Sequence, residues 1–222
     1  WVFGQAPFAC DIAAFADPAI LTPKFNMLYF KEAVSGEPER TRYMREIYAV
    51  IRDAANFYLL RSRPTASDTE KAAWQHAVLS VAHQESFFSH YRLASDSSVK
   101  MMRGDFGHGH GLMQVDDRWH FANVQNGKAA ELIGNIMIGL DEFFSNWEAA
   151  GKASCVGDPT NYFARARAAY SAYNGGPSRV CRWTNPSDPW ARNDVNFLEK
   201  WNNLAWNAYI DDPNRPAAID VR

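Results

Sequence analysis

The chain has 222 residues, is 47% hydrophobic and carries a formal net charge of −2, a balance that suits a folded domain with a sizeable core and excludes a disordered polyelectrolyte. No basic stripe stands out and no apolar stretch reaches transmembrane length, so neither nucleic-acid binding nor stable membrane insertion is expected. Three cysteines, Cys10, Cys155 and Cys181, permit one disulfide and leave one thiol over.

Residues 1 to about 38 mix Pro, Gly and aromatics with little periodicity and read as a wrap over the domain surface with short helices. From Glu39 to Arg61, Tyr43, Ile47, Val50, Ile51, Ala54 and Phe57 or Tyr58 recur at helical spacing, and Arg63-Pro64 ends that helix. A second helix starts at Asp68, which can cap it. Trp74, Val78, Val81 and Glu85 form its apolar stripe, bordered by Ala77 and Ala82. Glu85 then lies in the last turn on the apolar face, where desolvation and the negative end of the helix dipole both favour the protonated carboxyl. A helix-terminal Glu in a surface salt bridge is the plainer alternative.

Asp105 and Asp116 bracket four glycines, Gly104, Gly107, Gly109 and Gly111. The run from Phe106 to Val115 predicts a hairpin or short sheet beside the Glu85 helix, with Leu112, Gln114 and Asp116 on one face by their period of two. Leu132, Ile133, Ile136, Leu140, Phe143, Phe144 and Trp147 mark a long apolar helix, read as the central one. In the next helix Asp158 caps and Pro159 takes the first helical position. Tyr162, Phe163, Ala166, Ala169 and Tyr173 repeat along it, and Gly175-Gly176-Pro177 stops it, leaving Tyr173 and Asn174 at the tip. Trp190, Phe197, Trp201, Leu204 and Ala208 mark a last helix, and residues 211–222, with Pro213 and Pro216, read as a loose tail. A Cys155–Cys181 bridge would flank the turn after Asn174 and close a loop worth on the order of 3 kcal/mol in the chain-entropy model; Cys10 is the rival partner.

Glu85, Asp105 and Asp116 supply what glycosidic-bond hydrolysis requires: one carboxylic acid kept neutral to protonate the leaving oxygen, and an ionised carboxylate to position water or stabilise the developing sugar cation. Tyr173 and Asn174 offer a phenol and an amide for a sugar ring or its acetamido group, or else a core Tyr and a left-handed helix cap. Trp119, Tyr91 and Trp183 are candidates for stacking on more distant sugars, with core packing as the alternative for each.

Glu85-Ser86, Gly104-Asp105, the run from Gly111 through Leu112, Met113, Gln114 and Val115 to Asp116, then Ser171-Ala172-Tyr173-Asn174 and Asn193-Asp194-Val195 resemble, in that order, the successive motifs of goose-type lysozymes over roughly residues 70 to 210. The Glu-Ser and Gly-Leu-Met-Gln pieces are shared with bacterial lytic transglycosylases of the same lysozyme-like superfamily; the placement of Asp105 and Asp116 is what resembles the goose-type branch. The resemblance implies a mainly α (α+β lysozyme-like) fold, a helical bundle around a central apolar helix with a small hairpin or sheet beside the active-site cleft. It divides the chain into an N-terminal extension with one long helix packed on the catalytic domain (1–65), the catalytic domain (66–210) and the tail (211–222). It implies that Glu85 is the general acid, that Asp105 and Asp116 hold the attacking water in an inverting hydrolysis, and that Gln114, Tyr173 and Asn174 contact the sugar; His110 and Ser86 are further substrate-binding candidates, and no metal or cofactor is expected. Two departures adjoin the expected sugar site: Gly107-His108-Gly109-His110-Gly111 stands where the family has Gly-Asn-Gly-Phe-Gly, and Phe87-Phe88 replaces a small polar pair after Glu85-Ser86.

The expected activity is thus a peptidoglycan muramidase cutting the β-1,4 bond between muramic acid and glucosamine residues, on a fully acetylated or a modified, for example de-N-acetylated, glycan. Two alternatives stand beside it: a lytic transglycosylase releasing 1,6-anhydro-muramic acid, and a zinc-dependent wall peptidase or amidase using His108 and His110 with Asp105 or Asp116. The expected partner is the glycan strand, and the protein is read as an exported monomer, periplasmic or secreted. The chain begins at Trp1, as after removal of a signal peptide or at an expression boundary. At −2 it would lack long-range attraction to anionic envelopes.

Overall fold

A computed structural model describes residues 9–11, 28–34 and 36–210 of the chain. The expected tail and most of the expected N-terminal wrap lie outside the described residues. Six α-helices are seen among these residues: α1 (Glu37–Ser62), α2 (Asp68–Ser86), α3 (Phe121–Gln125), α4 (Leu132–Ala150), α5 (Tyr162–Gly175) and α6 (Ala191–Asn202). The strands are short: β1 (Ala9–Asp11), β2 (Tyr29–Lys31), β3 (Tyr91–Leu93), β4 (Val99–Gly104), β5 (Gly109–His110) and β6 (Val115–Asp116). The fold is mostly helical with a small mixed sheet ordered β2-β3-β4-β5-β6, in which β2 lies parallel to β3 and β1 pairs antiparallel with β4. The described part of the N-terminal segment contributes two short strands and one 3-10 helix, Glu32–Val34. Among the described residues, no helix is long and apolar enough to cross a membrane.

Packing gathers these elements into two units. One comprises the described residues up to Ala54, Glu85–Gly139 and residues 206–210; the other comprises Ala55–Gln84 and Leu140–Ala205. This division passes through α1 at Ala54/Ala55.

In the first unit Tyr43, Met44, Ile47, Tyr48 and Ile51 of α1 are buried. Phe30 meets the edge of the Tyr43 ring at 5.7 Å, and Trp206 lies against both Tyr48 and Phe88. Burying rings of this size gives roughly 1.5–3 kcal/mol each. The stripe continues through Ala55 and Leu59; of the alternatives Phe57 and Tyr58, Phe57 faces solvent and Tyr58 is half-buried with its ring on Trp74. Trp206 comes from a 3-10 turn at Ala205–Tyr209, because the last helix stops at Asn202 and does not run through Leu204 and Ala208.

In the second unit Trp74 stacks on Phe143 and meets Trp147 edge-on, while its indole N–H donates to the Ala55 carbonyl at 2.9 Å. α4 is shared between the units: in its first-unit part Ile133, expected on the stripe, is half exposed and Ile136 and Ile138 are buried, and in its second-unit part Leu140 and Phe143 are buried. Two helix starts differ from the sequence reading. Ser67 caps α2, its hydroxyl accepting from the Glu70 N–H at 3.1 Å, and Asn161 caps α5 by accepting from the Ala164 N–H at 3.1 Å, so Asp68 lies inside its helix and Pro159 before the next. Glu70 is itself buried, where Arg63 Nη1 (2.5 Å), Trp147 Nε1 (3.3 Å) and Arg165 Nη1 (3.3 Å) converge on Oε1. Cys155 and Cys181 form a disulfide with Cα atoms 5.7 Å apart, closing a separation of 26 residues.

Candidate active site

Glu85, Ser86, Asp105, His110, Gln114 and Asp116 all belong to the first unit, and Tyr173 and Asn174 to the second. Glu85 occupies the last turn of α2 and is half-buried. The helix does not end on a glycine: Phe87 and Phe88 both take left-handed conformations, φ 53° and 58°, which costs a bulky residue about 1 kcal/mol or more. Burial of the Phe88 ring and the hydrogen bond from the Tyr43 hydroxyl to its carbonyl (2.7 Å) fix that chain reversal. Ser86 is 2% exposed and its carbonyl accepts from the Ser89 N–H.

After β4 the chain enters a tight turn in which Asp105 and Phe106 are again left-handed, φ 45° and 55°, with the Phe106 ring fully exposed. The hairpin β5-β6 pairs Gly109 with Asp116 and His110 with Val115. Its connection is a turn and not continued strand, since Gln114 has φ 51°. Leu112, Gln114 and Asp116 therefore do not share a strand face: Leu112 is buried, and Gln114 folds back to donate from Nε2 to the Gly111 carbonyl at 2.7 Å. Two glycines make room for that amide, because a Cβ at Gly104 or Gly109 would collide with Gln114 Oε1.

Asp105 and Asp116 come together on a residue the sequence reading passed over. Arg118 donates from Nε to both Asp116 oxygens (2.9 and 3.1 Å), and its Nη2 reaches Asp116 and Asp105. Burial pushes the Asp116 carboxyl up, but the Arg118 guanidinium and N–H more than offset this and hold it below the usual carboxylate range. The signal in the sequence was the spacing: an Arg two residues after the Asp, just beyond a strand end, can fold back over it.

Asp117 forms a second clamp, meeting His108 Nδ1 at 2.7 Å and His110 Nε2 at 3.1 Å. His110 is buried, which lowers its pKa, and the Asp117 hydrogen bond only partly restores it. The zinc ligand set anticipated from these histidines is not assembled, since Asp105 and Asp116 turn to Arg118. No group of three or more His, Cys, Asp or Glu side chains among the described residues could hold a metal ion.

The turn is anchored from behind by His90 and Asn135. Leu112 N–H donates to His90 Nδ1 at 3.0 Å, and Met113 N–H donates to Asn135 Oδ1 at 2.9 Å, while Asn135 Nδ2 donates to the His110 carbonyl at 2.7 Å.

Within the second unit α5 ends as expected at Gly175-Gly176. Asn174 Oδ1 accepts from Arg182 Nη2 (3.0 Å) and Asn193 Nδ2 (2.8 Å); Arg182 in turn is paired with buried Asp194, which also accepts from the Ser171 hydroxyl at 2.7 Å. Tyr173 is half-buried with its ring edge-on to Phe143 at 5.7 Å. Of the aromatic candidates, Tyr91 is buried, Trp183 lies under the Arg167 guanidinium at 4.4 Å, and Trp119 is largely exposed. Neither family models, curated proteins nor solved structures gave any match to the chain.

Proposed function

We propose that the protein is a peptidoglycan muramidase that hydrolyses the β-1,4 bond between muramic acid and glucosamine residues with inversion, Glu85 acting as general acid and Asp105 and Asp116 holding the attacking water. The observation that carries this reading is the pairing of Asp105 with Asp116 on Arg118 in the same packed unit as Glu85. Two ionised carboxylates side by side offer several lone pairs to one water, an arrangement with a use in hydrolysis and none in a transglycosylation that employs the substrate's own hydroxyl. Backbone conformation adds support. Of the six non-glycine residues with positive φ among the described residues, Phe87, Phe88, Asp105, Phe106 and Gln114 are a candidate acid or lie within three positions of one, and strain of this kind concentrates at functional sites. Tyr173, Asn174 and Gln114 are assigned to the sugar by resemblance. The Cys155–Cys181 disulfide favours an oxidising compartment, in keeping with export.

Digestion of fully acetylated and chemically de-acetylated peptidoglycan, with product masses read in each case, tests the proposal. Products with reducing ends support hydrolysis, 1,6-anhydro ends would transfer the assignment to transglycosylation, and intact glycan in both digests would overturn it.

A further inference from the structure

Two carboxylates that converge on one point repel each other, and in the absence of a counter-charge the pKa of one of them rises. Asp105 and Asp116 come from opposite ends of the glycine-rich segment, one in a left-handed turn after β4 and the other on β6. Arg118 is the cation between them: its Nε and Nη2 cover Asp116, its Nη2 also reaches Asp105, and its own N–H donates to Asp116 Oδ1 at 2.8 Å. Among the other charged groups nearby, Asp117 adds negative charge beside Asp116, His108 and His110 hydrogen-bond Asp117 while His110 also feels the Asp116 charge, and Arg103 Nη2 donates to the Gly107 carbonyl.

We propose that Arg118 is a positioning residue that holds Asp105 and Asp116 together as a pair of ionised carboxylates, so that both remain acceptors for one water. Its catalytic consequence rests on the muramidase reading, but the electrostatic role does not. Arg118→Gln removes the charge and keeps a polar side chain at a half-exposed position, so the fold has little reason to suffer; Arg118→Lys keeps a point charge without the fork.

The test follows the side-chain carboxyl carbons of Asp105 and Asp116 by NMR through an acid titration, in the unsubstituted protein, Arg118→Gln, Arg118→Lys and the double variant Asp105→Asn with Arg118→Gln. In Arg118→Gln the Asp116 carboxyl takes up its proton at a higher pH because its cation is gone, in Arg118→Lys the rise is smaller, and in the double variant the rise of Asp116 is reduced by the part that its carboxylate neighbour contributed. The acid limb of the kcat/KM profile on peptidoglycan moves upward with the NMR titration. An unchanged titration in Arg118→Gln overturns the proposal, as does an equal shift with and without Asp105. Absence of any glycan cleavage by the unsubstituted protein would remove the muramidase reading while leaving the titration result to stand or fall by itself.

Discussion

His90 ties the acid-bearing turn to the rest of its unit, and it can do so only while neutral. Leu112 N–H donates to Nδ1 at 3.0 Å, so that nitrogen must be bare, and Nε2 then carries the proton it shares with the Ala130 carbonyl at 3.0 Å. Protonating Nδ1 would abolish the first bond and place a charge in a fully buried site. Burial lowers the imidazole from 6.5 to about 4, against a smaller upward pull from the Ala130 carbonyl. Acidification is therefore the perturbation. Below pH 6.5 the unfolded chain takes up a proton that the folded protein refuses until about pH 4, so stability falls as pH falls through that window. A shift of two to three units corresponds to about 3 kcal/mol. Urea unfolding at a series of pH values between 7.5 and 4, for the unsubstituted protein and for His90→Gln, isolates this contribution, because His76 and His83, also held neutral by burial, titrate in both. The unsubstituted protein should lose about 3 kcal/mol more than His90→Gln across the range. Parallel loss in the two proteins, or an NMR titration of His90 near 6.5, would refute the reasoning.

Opening the Cys155–Cys181 bridge frees a separation of 26 residues, and Cys155→Ser with Cys181→Ser should cost on the order of 3 kcal/mol; an unchanged melting temperature under reducing conditions would contradict this. Glu70→Gln removes the buried one of the two carboxylates that Arg63 and Arg165 share and leaves them Glu148, and a loss of about 2 kcal/mol is expected in urea unfolding, with a loss below about 0.5 kcal/mol counting against a tight ion cluster. Gly111 has φ +69°, and a Cβ there would sit 2.5 Å from His90 Nδ1; Gly111→Ala should therefore destabilise by about 2 kcal/mol or more, and a melting curve superimposable on that of the parent would show that the turn yields freely.

Helices were the legible part of the sequence because their signal is periodic. α1 was expected from Glu39 to Arg61 and spans Glu37–Ser62, and Glu85 was expected in the last turn of a helix that ends at Ser86. The α1 stripe runs through Ala55 and Leu59, with Tyr58 rather than Phe57 packed inward, and shows the limit: periodicity marks a face but not which neighbour covers it. The glycine-rich segment was less legible. Alternation suggested a strand through Leu112, Gln114 and Asp116, but the hydrogen bonds to His90 and Asn135 bend Leu112 and Met113 into a turn, and those partners are remote in sequence. Glu70 was passed over for a related reason, since a buried carboxylate is intelligible only once Arg63, Trp147 and Arg165 converge on it. Arg118 and Asp117 lay in plain sight beside Asp116, but the roles of charged neighbours depend on which way each side chain folds back, and spacing alone does not specify that.

The central claim is that Glu85 delivers a proton to a glycosidic oxygen. Reducing-end release from purified peptidoglycan, measured for the unsubstituted protein and for Glu85→Gln after circular dichroism has shown the same fold for both, tests it directly. The account predicts release by the unsubstituted protein and a drop of about a hundredfold or more in the variant, the low end of what a positioned acid contributes. Release by Glu85→Gln at the parental rate would contradict it.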